Sequence, residues 1–293
     1  MAAYISQDDI KYSELLRKTK KDAPKQLYYK GNISLLKSDC LAVVGSRRMT
    51  IYGKQVAEKL VGQIAMRGIT IVSGFMYGID ATAHKAAVEV GGKTIAVMPC
   101  GIERVHPEYQ VRLYDDILKN DGLIVSEYER DMQPGYWSYP ARNKIVAGIS
   151  KATLVIEAGE ESGSLITARL TQKFNRKLFA VPGPITSVNS IGTNGLIKED
   201  KAEMVLEAGE ILKYFNVGAI HESPANNKRA IRELPLPENN IEQKIINTLK
   251  TEPMEIDLLA RKLNKNIQEI SRQVSLMEIK GQIKKENNKY YVS

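Results

Sequence analysis

The sequence predicts an α/β protein built on a doubly wound, mostly parallel sheet, and three observations predict it. Apolar, β-branched runs recur at 41–45 (LAVVG), 69–74 (ITIVSG), 94–101 (TIAVMPCG), 123–127 (LIVSE), 153–159 (TLVIEAG) and 177–183 (KLFAVPG). Consecutive apolar positions are the pattern of strands buried on both faces. Between most of these runs lie segments of helical period, such as YGKQVAEKLVGQIAMRG and ATAHKAAVEVGG. Strands alternating with helices give βαβ crossovers and hence a parallel sheet. Finally, each run stops at small or polar residues, among them Gly45-Ser46, Ser73-Gly74 and Glu157-Ala158-Gly159. Ligands of open α/β sheets lie beyond the carboxyl ends of the strands, so a ligand is expected there.

The elements around this central part, 41–215, follow in order. Residues 1–40 read as a leading helix and an extended strap. From Asn216 to Asn240 the text is rich in Pro and Asn without a period, which reads as a linker. Residues 241–293 hold three helical stretches and then GQIKKENNKYYVS, a short hairpin turning at ENN. Three helices and a hairpin in this space are the plan of a winged-helix-like domain.

Composition sets the outer limits. The 293 residues are 43% hydrophobic, enough for a real core. Cys40 and Cys100 are too few for a disulfide framework or a four-cysteine zinc site. The first residues have no apolar core of a signal peptide, and no apolar stretch approaches the ~20 residues of a membrane span. A cytoplasmic protein without membrane association, cofactor or metal is the expectation. The net charge of +8 suggests a polyanionic partner, but its distribution is uneven. Residues 1–40 and 241–293 each carry +3, leaving only +2 for the long middle. Nucleic acid would therefore be held by local features.

Four turns supply such features. In GSRR, Gly45 allows a tight turn, Ser46 offers a hydroxyl, and Arg47 and Arg48 offer bidentate forks to phosphate oxygens ahead of a helix N-terminus. In SGFMYGIDATAH, Ser73 and Gly74 form a second such turn, with Phe75 or Tyr77 placed to stack on a base and Asp80 able to cap the helix that carries His84. His84 reads as a packed histidine rather than a catalyst. WSYPARNKIVAGIS interleaves Trp137 and Tyr139 with Arg142, Asn143 and Lys144, a reasonable platform for single-stranded nucleic acid. EAGEESGSLITARL offers Ser162, Gly163, Ser164 and Thr167 as an anion nest, with Glu157, Glu160 and Glu161 as a carboxylate cluster or a helix cap. Gly92-Lys93-Thr94 mimics a phosphate loop but lacks the earlier glycine, position 87 being alanine, and leads into a strand.

Taken in order, AVVGSRRMTIYG, SGFMYGIDATAH, TIAVMPCGIERVHPEYQ, YPARNKIVAGIS, VIEAGEESGSLITARL, FAVPGPI and GTNGLIKEDKAEMV resemble the DNA-processing protein A family, also called Smf, over roughly residues 24 to 215. The resemblance implies an extended Rossmann-like fold and a non-catalytic, homodimeric protein that binds single-stranded DNA and loads the recombinase RecA onto it in natural transformation. It implies that Gly45, Ser46, Arg47, the turn at Gly74 and Arg142, Asn143 and Lys144 contribute to binding. Many members carry a longer N-terminal helical domain, and Lys144 and Tyr139 stand where arginine and phenylalanine are common. A Rossmann-like nucleotide-processing enzyme of the phosphoribohydrolase type, which Glu157 keeps open, is the alternative. A duplex-DNA regulator led by the winged helix is a third reading.

Overall fold

A computed structural model describes residues 3–217, 241–279, 283–286 and 289–292 of the chain, which forms two compact units, Met1–Ile220 and His221–Ser293. In the first unit, β1 (Ala3–Ser6), α1 (Glu14–Arg17) and β2 (Gln26–Gly31) precede the repeating part. Then come β3 (Cys40–Gly45), α2 (Ile51–Ala65), β4 (Thr70–Ser73), α3 (Ile79–Glu89), β5 (Thr94–Met98), α4 (Val111–Lys119) and β6 (Leu123–Ser126). The chain continues through α5 (Ser138–Ile149), β7 (Ala152–Ile156), α6 (Ser164–Lys173), β8 (Lys177–Ala180), α7 (Ile191–Lys198), β9 (Glu203–Met204) and α8 (Ala208–Tyr214).

The nine strands form one sheet in the order β1-β2-β6-β5-β4-β3-β7-β8-β9. From β6 to β9 every pairing is parallel, while β1 and β2 extend the β6 side antiparallel. The chain winds outward from β3 to β6, returns through α5, and winds the other way from β7. The doubly wound α/β sheet predicted from the alternating runs is thus present, with its switch point between β3 and β7. The first forty residues differ from the expected strap, since β1 and β2 hydrogen-bond into the sheet itself.

Side-chain alternation explains the two layers of helices. Leu41 and Val43 face a core shared with α2, α3 and α8, through residues such as Leu60, Ile64, Ala83 and Ile211. Cys40, Ala42 and Val44 face the other way, toward Ile145, Val146 and Ile149 of α5 and Ala168 of α6. Because both faces are covered, every β3 position up to Val44 is buried and apolar, which is why the run shows no polar alternation.

The second unit contains α9 (Ile241–Thr251), α10 (Ile256–Lys262), α11 (Ile267–Ile279), β10 (Ile283–Glu286) and β11 (Lys289–Val292). Ile245, Leu249, Leu259, Ile270, Val274 and Ile283 share its own small core, and β10 pairs antiparallel with β11, as a winged-helix-like domain requires. Of the expected linker only Asn216 and Val217 are described, and they close the turn after α8. Residues 218–240 and the hairpin tip at Asn287-Asn288 lie outside the described residues. Among the described residues no helix is long and apolar enough to cross a membrane.

Candidate nucleic-acid interface

A cleft of about 970 Å³ opens at the carboxyl ends of the parallel strands, at the switch point. It brings together Gly45, Ser46, Arg47 and Arg48 from the β3–α2 turn, Tyr139, Arg142 and Asn143 from α5, and Ser162, Gly163 and Ser164 from the start of α6. Three arginines line it against the carboxylates of Asp80 and Glu161.

Arg47 is exposed, and its guanidinium lies over two rings, 5.2 Å from the centre of Tyr139 and 5.9 Å from that of Tyr77. The cation is thereby ordered without losing its donors, because contacts with ring faces leave the N–H fork free in the guanidinium plane. Tyr139 is itself fixed by a 2.9 Å hydrogen bond between its hydroxyl and His106 Nε2. Partial burial holds the His106 pKa below its ordinary value, with Arg104, Arg47 and Arg142 acting in the same direction. Ser46 turns its hydroxyl back to accept from the Arg48 amide at 3.1 Å, so it shapes the turn as well as lining the cleft.

Arg142 differs from the exposed binder the sequence suggested. It is 3% exposed, and its Nη1 donates to the carbonyls of Gly74 and Val97, the latter at 2.6 Å. Burial pulls its pKa down to about 10, and burial pushes that of neighbouring Asp80 up while Arg142 restrains the rise. Arg142 thus joins the ends of β4 and β5 beneath the cleft and shows only an edge to it. Gly74 has no side chain because a Cβ there would meet that guanidinium. Asn143 accepts from Arg142 Nε at 3.1 Å and lines the cleft beside it.

Three further sequence expectations are corrected. Phe75 is completely buried against His84 and Tyr114, because its backbone turns at φ 59°, so its ring cannot receive a base; exposed Tyr77 takes that place on the wall. Ser73 is also fully buried, with its hydroxyl donating to Val43 O at 2.6 Å. Lys144 is turned out of the cleft and pairs with Glu127 at 3.2 Å.

The N-terminus of α2 is already occupied. Glu157, 4% exposed, accepts from the Thr50 amide at 2.8 Å and from the Thr50 hydroxyl, and Thr50 in turn caps the Gly53 amide. The helix that follows the GSRR turn therefore satisfies its positive end internally. The same bonds take Glu157 out of the cleft, whose carboxylates are Asp80 and Glu161. At α6 the N-cap is Gly163, without a side-chain cap, and the Ser162 and Ser164 hydroxyls lie 2.8 Å apart at the cleft wall. His84 is wholly buried with its Nδ1 2.7 Å from Thr94 Oγ1, and burial lowers its pKa to about 3, as a packed neutral histidine requires.

Tyr136 and Asn189 join the cleft without a sequence expectation. Tyr136 lines the cleft and is 97% exposed. Its position next to Trp137 was a usable signal. Asn189 also lines the cleft and donates to Arg48 O at 2.7 Å, bringing the loop after β8 onto the GSRR turn. Nothing in PITSVNS marks that approach.

Residues 3–216 match the family model described as DNA recombination-mediator protein A, and residues 231–287 match the DprA winged helix domain. The chain is 37% identical over 268 residues to Protein Smf of Escherichia coli, covering 89% of this chain and 70% of that one. It is 43% identical over 194 residues to DNA processing protein DprA of Streptococcus pneumoniae, covering 66% of this chain and 68% of that one. The X-ray structure of the Streptococcus pneumoniae protein superposes with a TM-score of 0.68 at 40% identity, covering 72% of this chain and 74% of that one. DNA processing protein A from Helicobacter pylori, described for its single-stranded DNA binding mode, gives a TM-score of 0.66 at 32% identity, covering 74% of this chain and 98% of that one.

Proposed function

The chain belongs to the DNA recombination-mediator protein A family, and from that premise we propose that its switch-point cleft binds single-stranded DNA without chemistry and delivers the strand to the recombinase RecA. The observation that carries this reading is Arg47, over the rings of Tyr77 and Tyr139 and in one cleft with the start of α6. Phosphate oxygens meet the Arg47 fork, the Gly163 amide and the hydroxyls of Ser162 and Ser164. Unpaired bases stack on the tyrosines, which a duplex cannot supply without opening. The use of Glu157 as a helix cap supports a mediator over a hydrolase. For the homodimer, the supporting feature is the sheet edge, where short β9 leaves Met204 and Leu206 exposed. RecA loading and a role in natural transformation rest on the family relationship.

The test is fluorescence anisotropy with a labelled thymine oligonucleotide and the matching duplex at two salt concentrations. The single strand is expected to bind more tightly, with affinity falling as salt rises because phosphate-bound counterions are released. Arg47→Ala is expected to weaken single-strand binding roughly tenfold and to flatten the salt dependence by about one counterion. Equal affinity for duplex and single strand, or an Arg47→Ala protein that binds normally, overturns the reading. Release of free base from nucleoside monophosphates would replace it with the nucleotide-processing enzyme.

A further inference from the structure

Beside the cleft, the turn Gly135–Ser138 holds two large aromatic residues toward solvent. Ser138 is buried; its amide donates to Gly135 O at 2.9 Å, its hydroxyl donates to the same carbonyl at 2.8 Å, and the Gly135 amide donates to that hydroxyl at 3.1 Å. The two residues between them are Tyr136, 97% exposed, and Trp137, 62% exposed. The indole is fixed on one side by an edge-on contact with Tyr128, ring centres 5.4 Å apart at 88°. It also lies over Gly135, where a Cβ would stand 2.7 Å from Nε1. A locked turn that orders an indole and still leaves most of it in water is a presented surface rather than part of the core.

Because Tyr136 lines the cleft and exposed Trp137, next in the chain, stands outside its lining, we propose that the two form a base-stacking station for the stretch of single-stranded DNA that leaves the cleft, a proposal that rests on the cleft being the DNA site. The charges around the station give the strand an orientation there. Glu127 is neutralised by Lys144 and Asp131 lies 3.9 Å from Arg104, while Glu129 accepts from Tyr28 and is exposed. Exposed Arg130 offsets Glu129, so the charges beside Tyr128 balance and leave no excess of positive charge for phosphates; the proposed station therefore has the bases on the rings and the backbone toward solvent. Phosphate contacts then belong to Arg47 and the α6 end, and stacking alone belongs to Trp137.

Trp137 is the chain's single tryptophan, so its emission reports on this surface directly. The full-length protein is titrated with a short and a long oligothymidylate while anisotropy and tryptophan emission are followed together. The long strand is expected to quench Trp137, and the short one to bind with little quenching. Trp137→Ala should lose roughly tenfold affinity for the long strand, leave the short strand almost unaffected, and keep the salt slope, since stacking releases no counterions. Trp137→Phe should recover most of the loss, and thermal unfolding of both variants should match the parent. If the long strand binds in an Arg47-dependent way but leaves Trp137 emission and Trp137→Ala affinity unchanged, the station is refuted while the cleft stands. If neither strand binds, both fall together. Quenching by RecA in the absence of DNA, with Trp137→Ala still binding the long strand normally, reassigns the surface to a protein partner.

Discussion

Two helices begin on either side of the switch point, and they treat their positive ends in opposite ways. The end of α2 is closed by Glu157, a buried carboxylate from the β7–α6 turn that takes both the amide and the hydroxyl of Thr50. The end of α6 receives no carboxylate: the Ser162 hydroxyl oxygen accepts from the Ser164 amide at 3.4 Å, and both serine hydroxyls stand at the wall of the cleft. Both ends carry the same partial charge by construction. The one nearer the Gly-Ser-Arg turn is therefore a piece of folding machinery, and the other stands at the cleft wall without an internal carboxylate. A turn that looks like an anion site in sequence is one only if the protein has not already furnished the anion.

The largest effect is expected from removing that internal anion. Glu157→Ala leaves the Thr50 amide and hydroxyl without their charged partner in a part-buried setting, at about 3 kcal/mol for two charge-assisted bonds. Urea unfolding should show the midpoint shift with an unchanged slope, and an unshifted midpoint would mean the carboxylate does not secure α2. A somewhat smaller effect is expected from Gly53→Ala in the first turn of α2. Alanine ordinarily gains about 1 kcal/mol over glycine inside a helix. Here the new Cβ falls on Oε2 and Cδ of Glu157, so the carboxylate must leave Thr50. The sign reverses, and a net loss of about 1 to 2 kcal/mol is expected by the same unfolding measurement. A stabilised Gly53→Ala protein would show that Glu157 moves aside freely.

The same geography explains what could be read in advance. The strands were legible because burial on both faces removes polar alternation, and Gly45, Arg47 and Arg48 were legible because a glycine-led turn at a strand end has few other uses. Glu157 reaches a helix 107 positions away in the chain, a distance over which no local pattern operates. Arg142 reads as a surface cation from its neighbours Asn143 and Lys144, yet its acceptors are carbonyls 68 and 45 positions away. Phe75 looks like a loop aromatic, but its left-handed backbone sends the ring inward. The antiparallel strands β1 and β2 escaped notice because their burial is mixed, so neither shows a continuous apolar run.

The smallest change tests the open end. Gly163 adopts φ −58° and ψ −22°, which any residue can take, and nothing lies within 4 Å of where its Cβ would be. Gly163→Asp therefore fits without strain and places on α6 the kind of charge that Glu157 places on α2. The folded protein should be unchanged or stabilised by a few tenths of a kcal/mol, from the favourable dipole interaction and the loss of glycine's freedom. Affinity for single-stranded DNA should fall roughly tenfold, because a phosphate and a carboxylate cannot share one helix end. Gly163→Asn has nearly the same shape without the charge, so it should keep most of the affinity in the same anisotropy titration. If both variants bind like the parent, phosphates do not rest on α6, and the difference between the two helix ends is one of folding alone. If both lose affinity equally, bulk rather than charge is responsible, and the open end serves to make room for the strand.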